Sequence, residues 1–493
     1  MKRYLFVAAL MSALLCMTPA ARAAVSVTVS PGTARPTASI SVSGSGFAAS
    51  EAVDIYFDTT DVLLAFTSST GSFAALPYQV PAGTLPGKHR ITAVGRKAGD
   101  GKQIAMTVST PWLEQGFSAR GRRTNPFENV ISTGNVSSLD TVWTTATGNS
   151  ITSTPVVAGG TAYVSSFDDK LYAINAATGA QKWMATTGGF IDAAPAVAGN
   201  LVYAGSTDHI LYAFNIATGA TVWESLAGDM IESSPVVFGG VIYFGSDDGK
   251  LNAINAANGN PTLWTATTGG SIQSSPAVAN GVVYVGSGDH SLYAFNAKTG
   301  AKLWSTATGG SITFSSPAVA NGIVYIGSAD HNLYAFNATT GAQLWTGSTS
   351  GFIDSSPAVA NGVVYVGSSD GSLYAFDATT GVQKWTPQPV GSGIESPVVV
   401  ANGVVYAGSD DDKLHAFDAA TGAPLWFAAT GTGAQGGSPS VSVSDGVVYL
   451  GSLDNNLYAY ALDGGSNAAY RRNARAPSRW MLHPDWRLKP ARQ

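Results

Sequence analysis

Tryptophan recurs along this chain at a nearly fixed interval. Trp143, Trp183, Trp223, Trp264, Trp304, Trp345, Trp385 and Trp426 stand 40 or 41 residues apart. A period of this size belongs to architectures that stack one supersecondary unit many times, because each unit alone cannot bury its own flanks. One unit, Ser274 to Trp304, reads SSPAVANGVVYVGSGDHSLYAFNAKTGAKLW. Glycine and proline interrupt every ten residues or so, which excludes long helices.

Four short strands can be read from the unit. The first opens on a proline found eight times: Pro155, Pro195, Pro235, Pro276, Pro317, Pro357, Pro397 and Pro439. Lacking an N–H, proline suits the start of a strand and not its middle. A two-residue turn follows. It is Asn280-Gly281, Asn321-Gly322, Asn361-Gly362 or Asn402-Gly403 in half of the copies. In the others it is Gly159-Gly160, Gly199-Asn200, Gly239-Gly240 or Asp445-Gly446. These dipeptides tolerate the positive φ that a tight hairpin needs. The second strand, such as Val282 to Val285, is apolar on both faces and is expected to lie between neighbouring sheets. A Leu-Tyr-Ala-Phe strand and a Thr-Gly turn then lead to the tryptophan strand, whose indoles are expected to pack between units.

Four antiparallel strands in about 40 residues make a propeller blade. Eight prolines, eight hairpins and eight tryptophans imply eight blades. The first tryptophan precedes the first proline, and the last unit leaves through Asp463-Gly464-Gly465 without a tryptophan of its own. Val142 to Ala146 should therefore supply the eighth blade's outer strand, beside Asn456 to Ala461. Closure of this kind removes unpaired edges. The expected fold is all-β: an eight-bladed β-propeller closed by an N-terminal outer strand and preceded by a small β-sandwich.

The repeat, as in LYAFDATTGVQKW ending at Trp385, resembles the pyrroloquinoline-quinone (PQQ)-like repeat over about 320 residues. The lead-in NPFENVISTGNVSSL, Asn125 to Leu139, resembles segments that precede propellers in secreted members of that group. Two kinds of relative share it. One is the quinoprotein dehydrogenases; the other is the non-catalytic propeller of the outer-membrane β-barrel assembly machinery.

Residues 24–110 lack the repeat. Val25 to Val29, Ser39 to Val42, Val53 to Phe57 and Ile91 to Val94 alternate in polarity, with turns spaced as in a seven-stranded sandwich. Gly44-Ser45-Gly46-Phe47 and Gly87 to Ile91 resemble bacterial immunoglobulin-like surface modules, which implies a spacer or docking role. The expected order is a signal peptide (1–23), the immunoglobulin-like sandwich (24–110), a connector (111–141), the propeller (142–463) and a basic tail (464–493).

The leader reading rests on Lys2-Arg3, the apolar run Leu5 to Met17, and small residues at Ala21 and Ala23. Cleavage near Ala23 implies a periplasmic or secreted protein. The run is too short to span a membrane, which takes about 20 apolar residues. Leu15 stands where lipid attachment at Cys16 would want a small residue, so no anchor is expected. Without the leader the chain has no cysteine and a net charge of −8, which disfavours nucleic acid as a partner. Charged residues are only 12%, so Gly, Ser, Thr and Asn must dominate the surface. Two basic stretches stand out: Arg120, Arg122 and Arg123 in the connector, and Arg471, Arg472, Arg475 and Arg479 with Trp480 and Trp486 in the tail. They either clamp onto the acidic propeller or stay free.

Strand direction places the link between blades and the turn between second and third strands on one face. The Asn-Gly and Thr-Gly turns lie on the other and hardly vary. Variation, and hence binding, is expected on the inter-blade face. Before each proline strand an Ile, or once Ala434, is followed by a polar residue: Thr152, Asp192, Glu232, Gln273, Thr313, Asp354, Glu395 and Gln435. The order Thr-Asp-Glu-Gln occurs twice, which sets Asp192 opposite Asp354 and Glu232 opposite Glu395. The four carboxylates could ring the channel mouth to hold a cation or a partner's basic side chains. Alternatively they are hydrated rim residues. An aspartate in every second turn (Asp168, Asp208, Asp248, Asp289, Asp330, Asp370, Asp411, Asp454) suits turn stabilisation. His209, His290 and His331 follow three of them and are expected on the surface.

Two functions remain open. A binding scaffold for a protein or cell-envelope component needs only a rigid ring with a varied face, and neither a catalytic residue nor a metal ligand. The alternative, implied by the dehydrogenase resemblance, is PQQ-dependent alcohol or sugar oxidation with calcium. This chain departs from those enzymes in lacking adjacent cysteines and long insertions between blades, so no cofactor and no catalysis are expected.

Overall fold

The computed structural model describes residues 23–97, 99–431 and 438–462. The chain folds as an eight-bladed β-propeller preceded by a small β-sandwich. In blade 4, Ala277–Ala279, Val282–Ser287, Ser291–Asn296 and Lys302–Ala307 pair in chain order. From blade 1 to blade 8 each first strand contacts the first strand of the next blade, so the first strands line the axis and the tryptophan strands face outward. Seven of the first strands start one residue after the proline, as Val156 does after Pro155 and Ala277 after Pro276; in blade 7 the strand starts at Val399, two residues after Pro397. The hairpins use positive φ as expected: 51° and 76° at Asn280-Gly281, and 53° and 76° at Asp445-Gly446.

The ring closes through the N-terminal strand. Leu139–Ala146 pairs antiparallel with Asn456–Leu462, from Leu139 opposite Leu462 to Ala146 opposite Asn456. The joint made there is the joint used around the ring. At the blade 4–5 boundary, Trp304 Nε1 and the Tyr284 hydroxyl both donate to the Ala338 carbonyl, at 3.3 and 2.9 Å. That carbonyl belongs to the Thr-Gly turn of the next blade. At the closure, Trp143 Nε1 and the Tyr449 hydroxyl donate to Ala176 O at 3.1 and 3.4 Å. Gly341 shows why the turn ends in glycine: φ is +72°, and a Cβ would lie 2.7 Å from the Trp304 ring.

Three joints differ. At the blade 2–3 boundary Trp223 Nε1 is buried with no hydrogen-bond partner, although the Tyr203 hydroxyl donates to Ala256 O at 2.8 Å. The other two depart for identifiable reasons. Blade 8 takes its outer strand from the front of the propeller, and the Thr-Gly sequence of most other turns does not follow its third strand. Tyr406 of blade 7 is accordingly buried with no partner for its hydroxyl. In blade 6, Pro387 and Pro389 break the outer strand down to Gln388–Pro389, and Trp385 Nε1 is buried unpartnered.

The connector does not wrap the outside. It passes from blade to blade along their inner edges and meets the middle residue of seven successive first strands. Trp112 exchanges both backbone hydrogen bonds with Val157 in blade 1, at 2.9 and 2.6 Å. The amides of Val197, Val278, Val319, Val359 and Val400 then donate to the carbonyls of Leu113, Ala119, Arg120, Arg122 and Arg123. In blade 3 the Glu114 carboxyl replaces a carbonyl and accepts from the Val237 amide at 3.4 Å. In blade 8, Asn125 Nδ2 donates to Val443 O at 2.8 Å. The inner edges that a propeller leaves unpaired are thus satisfied by one segment. Arg123 is fully buried, and its Nη1 donates to the Gly121 and Pro357 carbonyls at 2.7 and 3.1 Å. Burial pulls its guanidinium down to about 9 and pushes the Glu114 carboxyl up to about 8, so Glu114 is mainly the neutral acid at pH 7. The tail, 464–493, lies outside the described residues.

In the front sandwich, Ser26–Ser30, Ser39–Ser45 and Phe73–Gln79 form one sheet. Thr33–Ala34, Gly101–Val108, Gly87–Gly95, Ala52–Phe57 and Thr60–Phe66 form the other. That makes eight strands where the turn spacing implied seven; the extra one is only two residues long. Ile40, Val42, Val53, Ile55, Ile91 and Ala93 fill its core.

Two substitutions measure these features by denaturant unfolding. Trp143→Ala and Trp304→Ala should each cost about 3 kcal/mol, because closure and ordinary joints are the same contact. A loss at Trp143 far below that at Trp304 would contradict closure by this strand. Trp112→Ala, which empties a fully buried site in the connector, should cost about 3–5 kcal/mol.

Candidate functional site

The rim of the inter-blade face is positioned by buried isoleucines. Ile151, Ile191, Ile231, Ile272, Ile312, Ile353 and Ile394 are essentially inaccessible. At least six of them sit against a glycine that ends a second strand, as Ile353 does against Gly327, where a Cβ would come within 2.3 Å of the isoleucine methyl. The residue after each of these isoleucines, Thr152, Asp192, Glu232, Gln273, Thr313, Asp354 or Glu395, is polar and at least partly exposed. Serines fix the links laterally. The Ala194, Ser234, Ser275 and Ser316 amides each donate to the serine hydroxyl one blade on: Ser234, Ser275, Ser316 and Ser356, at 2.9 to 3.0 Å.

The mouth residues form two pairs and not an even ring. Asp192 and Glu232, on blades 2 and 3, lie close enough for the Asp192 charge to raise the Glu232 carboxyl. In the same way the Asp354 charge on blade 6 raises Glu395 on blade 7. Thr152 Oγ1 donates to Asp192 Oδ1 at 2.5 Å. Gln273 Nε2 donates to Glu232 and, at 3.5 Å, to Asp247 Oδ2. Thr313 is half-buried and followed by Phe314, which is 59% exposed. Gln435 and Ala434 lie outside the described residues.

A third carboxylate joins each pair: Asp247 beside Glu232 and Asp410 beside Glu395. One Asp247 oxygen is buried with no hydrogen-bond partner, and Ser438 Oγ donates to Asp410 Oδ1 at 2.6 Å. The sequence carries a signal for both. Asp247-Asp248 and Asp410-Asp411 are doubled acids at the same repeat position, where other copies have Phe167, Thr207, Gly288, Ala329, Ser369 or Leu453. Among the described residues none of Asp192, Glu232, Asp354 and Glu395 makes an ion pair.

The electrostatics follow from burial plus like charge. Burial, then Asp247 and Asp192, push the Glu232 carboxyl up to about 7 against the Gln273 hydrogen bond. Burial, then Asp410 and Asp354, raise Glu395. Asp192 and Asp354 are raised by burial. A cation or a partner's basic side chain would relieve this repulsion; a second anion would add to it.

The turn aspartates behave differently. Asp289 accepts from the Ser291 amide at 3.0 Å, the Gly269 amide at 2.7 Å and the Tyr293 hydroxyl at 2.5 Å, which ties the turn to the preceding link. Asp208, Asp330, Asp370 and Asp454 repeat the tyrosine bond. His209, His290 and His331 occupy the positive-φ position of the same turns, at 73°, 69° and 70°. Among the described residues no three His, Cys, Asp or Glu are placed to hold a metal ion.

A family model described as outer membrane protein assembly factor BamB matches residues 132–262, 229–317, 309–396 and 387–477. Among solved structures, BamB from Moraxella catarrhalis is similar, with 19% identity, a TM-score of 0.57, and 66% of this chain and 99% of that chain covered. Quinohemoprotein alcohol dehydrogenase from Comamonas testosteroni is similar at 18% identity and a TM-score of 0.62, covering 72% of this chain and 81% of that chain. The computationally designed Ika8 protein is similar at 17% identity and a TM-score of 0.57, covering 64% and 97%. At such identities the likeness shows the fold alone. A search of the curated proteins gave no match to this chain.

The raised Glu232 carboxyl sets a pH test. Its folded pKa exceeds the unfolded one, so its contribution to stability is fully present below about 4.5 and is lost as pH rises through about 7. Glu232→Gln should therefore melt higher than the parent at pH 8 and no higher at pH 4. Equal melting temperatures at both pH values would contradict the crowding of the triad.

Proposed function

Because the chain belongs to the outer membrane protein assembly factor BamB family, we propose that it is an exported, non-catalytic binding ring that holds a protein or cell-envelope partner on its inter-blade face. The observation that carries this reading is the pair of opposed acidic clusters, Asp192-Glu232-Asp247 and Asp354-Glu395-Asp410. They stand without basic partners among the described residues, on the face where the repeats differ. Such clusters fit basic side chains of a partner. The half-turn between them fits a partner that engages the ring at two points. Membership of an envelope family and the leader-like first residues support a periplasmic or secreted location. No helix among the described residues is long and apolar enough to cross a membrane. The front sandwich, immunoglobulin-like by its sequence, would serve as spacer or docking module.

The alternative, a quinone-and-calcium dehydrogenase, fits these residues poorly. Calcium wants six to eight oxygen ligands, carboxylates prominent among them. The described carboxylates do not converge in that way. Residues 112–125 bond the inner edges of the blades, with the Arg123 guanidinium buried against the inner carbonyls. Fold likeness to a quinohemoprotein does not outweigh this, since one fold hosts many functions.

The test is binding of a basic probe. Fluorescent nona-arginine should bind the purified protein with an affinity that falls with salt and rises from pH 6 to pH 8, as Glu232 loses its proton. The variant Asp192→Asn/Glu232→Gln/Asp354→Asn/Glu395→Gln should keep its circular dichroism and lose at least tenfold in affinity. Unchanged affinity would overturn the reading. So would a quinone spectrum with dye-linked alcohol oxidation after adding PQQ and calcium.

A further inference from the structure

The connector carries three arginines within four residues, Arg120, Arg122 and Arg123, and among the described residues none of them makes an ion pair. Arg123 is accounted for, because its buried Nη1 donates to the Gly121 and Pro357 carbonyls. Arg120 and Arg122 are not. Neither guanidinium donates to an acceptor among the described residues, and Arg122 Nε is shut away from solvent with no partner. Arg120 is exposed and Arg122 half-buried, so a small solute can reach the pair.

The backbone holds the two together. The Arg120 and Arg122 carbonyls accept from the Val319 and Val359 amides, at 2.9 and 3.0 Å, on the neighbouring first strands of blades 5 and 6. Thr124 Oγ1 donates to the Arg122 and Val359 carbonyls at 3.1 and 2.8 Å and fixes the same stretch. The charge of Arg120 reaches Arg122, whose guanidinium is pulled below its ordinary value by burial first and by Arg120 second. A charged donor kept from water without an acceptor is costly, and repulsion from a like charge adds to that. An anion between the two would relieve both.

The kind of anion follows from charge and shape. A guanidinium presents a planar fork of N–H groups that matches the oxygens of a carboxylate or a phosphate. Two forks carry two positive charges. A phosphate group, with a second pKa of about 6, bears close to two negative charges at neutral pH, whereas a carboxylate bears one. The chain as a whole is acidic, with 31 acidic against 26 basic residues, so its long-range field does not gather anions. A bound anion must be held by contact.

We propose that Arg120 and Arg122 form an oxyanion site on the inner edges of blades 5 and 6, and that it takes a phosphate dianion, either free or as the end group of a monoester. The site uses none of the carboxylates of the inter-blade face and does not depend on the reading of that face.

Calorimetric titration of the full chain with inorganic phosphate, at pH 7.5 and constant ionic strength, should give saturable binding at one site. Arg120→Gln and Arg122→Gln should each weaken it at least tenfold with circular dichroism unchanged. Binding at pH 5, where phosphate is mostly the monoanion, should be about tenfold weaker. Glycerol 3-phosphate separates the two sources. Its binding within threefold of inorganic phosphate would mean that the site reads a phosphoryl end group, and binding of inorganic phosphate alone would mean a site for the free ion. In the unaltered chain, phosphate should also slow phenylglyoxal modification of Arg120 and Arg122, followed by mass spectrometry, without protecting the exposed Arg96 of the front sandwich. That readout needs no variant, so it stands if a substituted chain fails to fold. Absence of saturable binding by both ligands up to about 20 mM would overturn the proposal. So would equal affinity in the Arg120→Gln/Arg122→Gln chain, equal affinity at the two pH values, or equal protection of Arg96.

Discussion

The ring depends on one contact repeated at the boundaries between blades. An indole lies over a glycine in the neighbour's turn, while its N–H and a tyrosine hydroxyl both donate to one carbonyl of that turn. The contact joins three requirements: a flat apolar surface, a donor at its edge, and a turn with no Cβ in the way. Where one part is missing the fault stays local. Tyr406 lacks its carbonyl because blade 8 is completed from the other end of the chain, and Trp385 lacks its acceptor beside the proline-broken strand of blade 6. The ring tolerates both because each blade also buries an all-apolar second strand against its neighbours.

Much of this architecture was legible in the sequence, since a repeat displays its own rules. Spacing of the tryptophans, the positive-φ dipeptides and the misplaced first tryptophan gave blade count, hairpins and closure. The connector was not legible. Its residues meet the ring through backbone carbonyls, which any sequence supplies, so Trp112 to Asn125 carry no pattern that announces the contact. Its arginines suggested a clamp on an acidic surface. Arg123 instead donates to main-chain carbonyls inside, a role that charge counting cannot reveal. The strand count of the front sandwich missed Thr33–Ala34 because two residues show no alternation.

The candidate site was legible in part. Isoleucine followed by a polar residue marked a buried anchor and a partly exposed side chain on each described link of this kind. Their order set Asp192 next to Glu232 and Asp354 next to Glu395. What it did not show is that Asp247 and Asp410, on a different turn, add a third carboxylate to each pair. Comparing the copies position by position for doubled acids would have found them. The connector changes the inner wall of the ring: residues 112–125 bond the inner edges of the first strands, which would otherwise be unpaired.

Site-specific crosslinking in the exporting cell tests the account most directly. A photoreactive amino acid would be placed singly at Phe190, Phe352, Asn280 and Asn361, two positions on each face. The account predicts adducts of higher mass from Phe190 and Phe352 and none from the hairpin positions Asn280 and Asn361. Adducts from the hairpin positions alone, or equally from both faces, would contradict it.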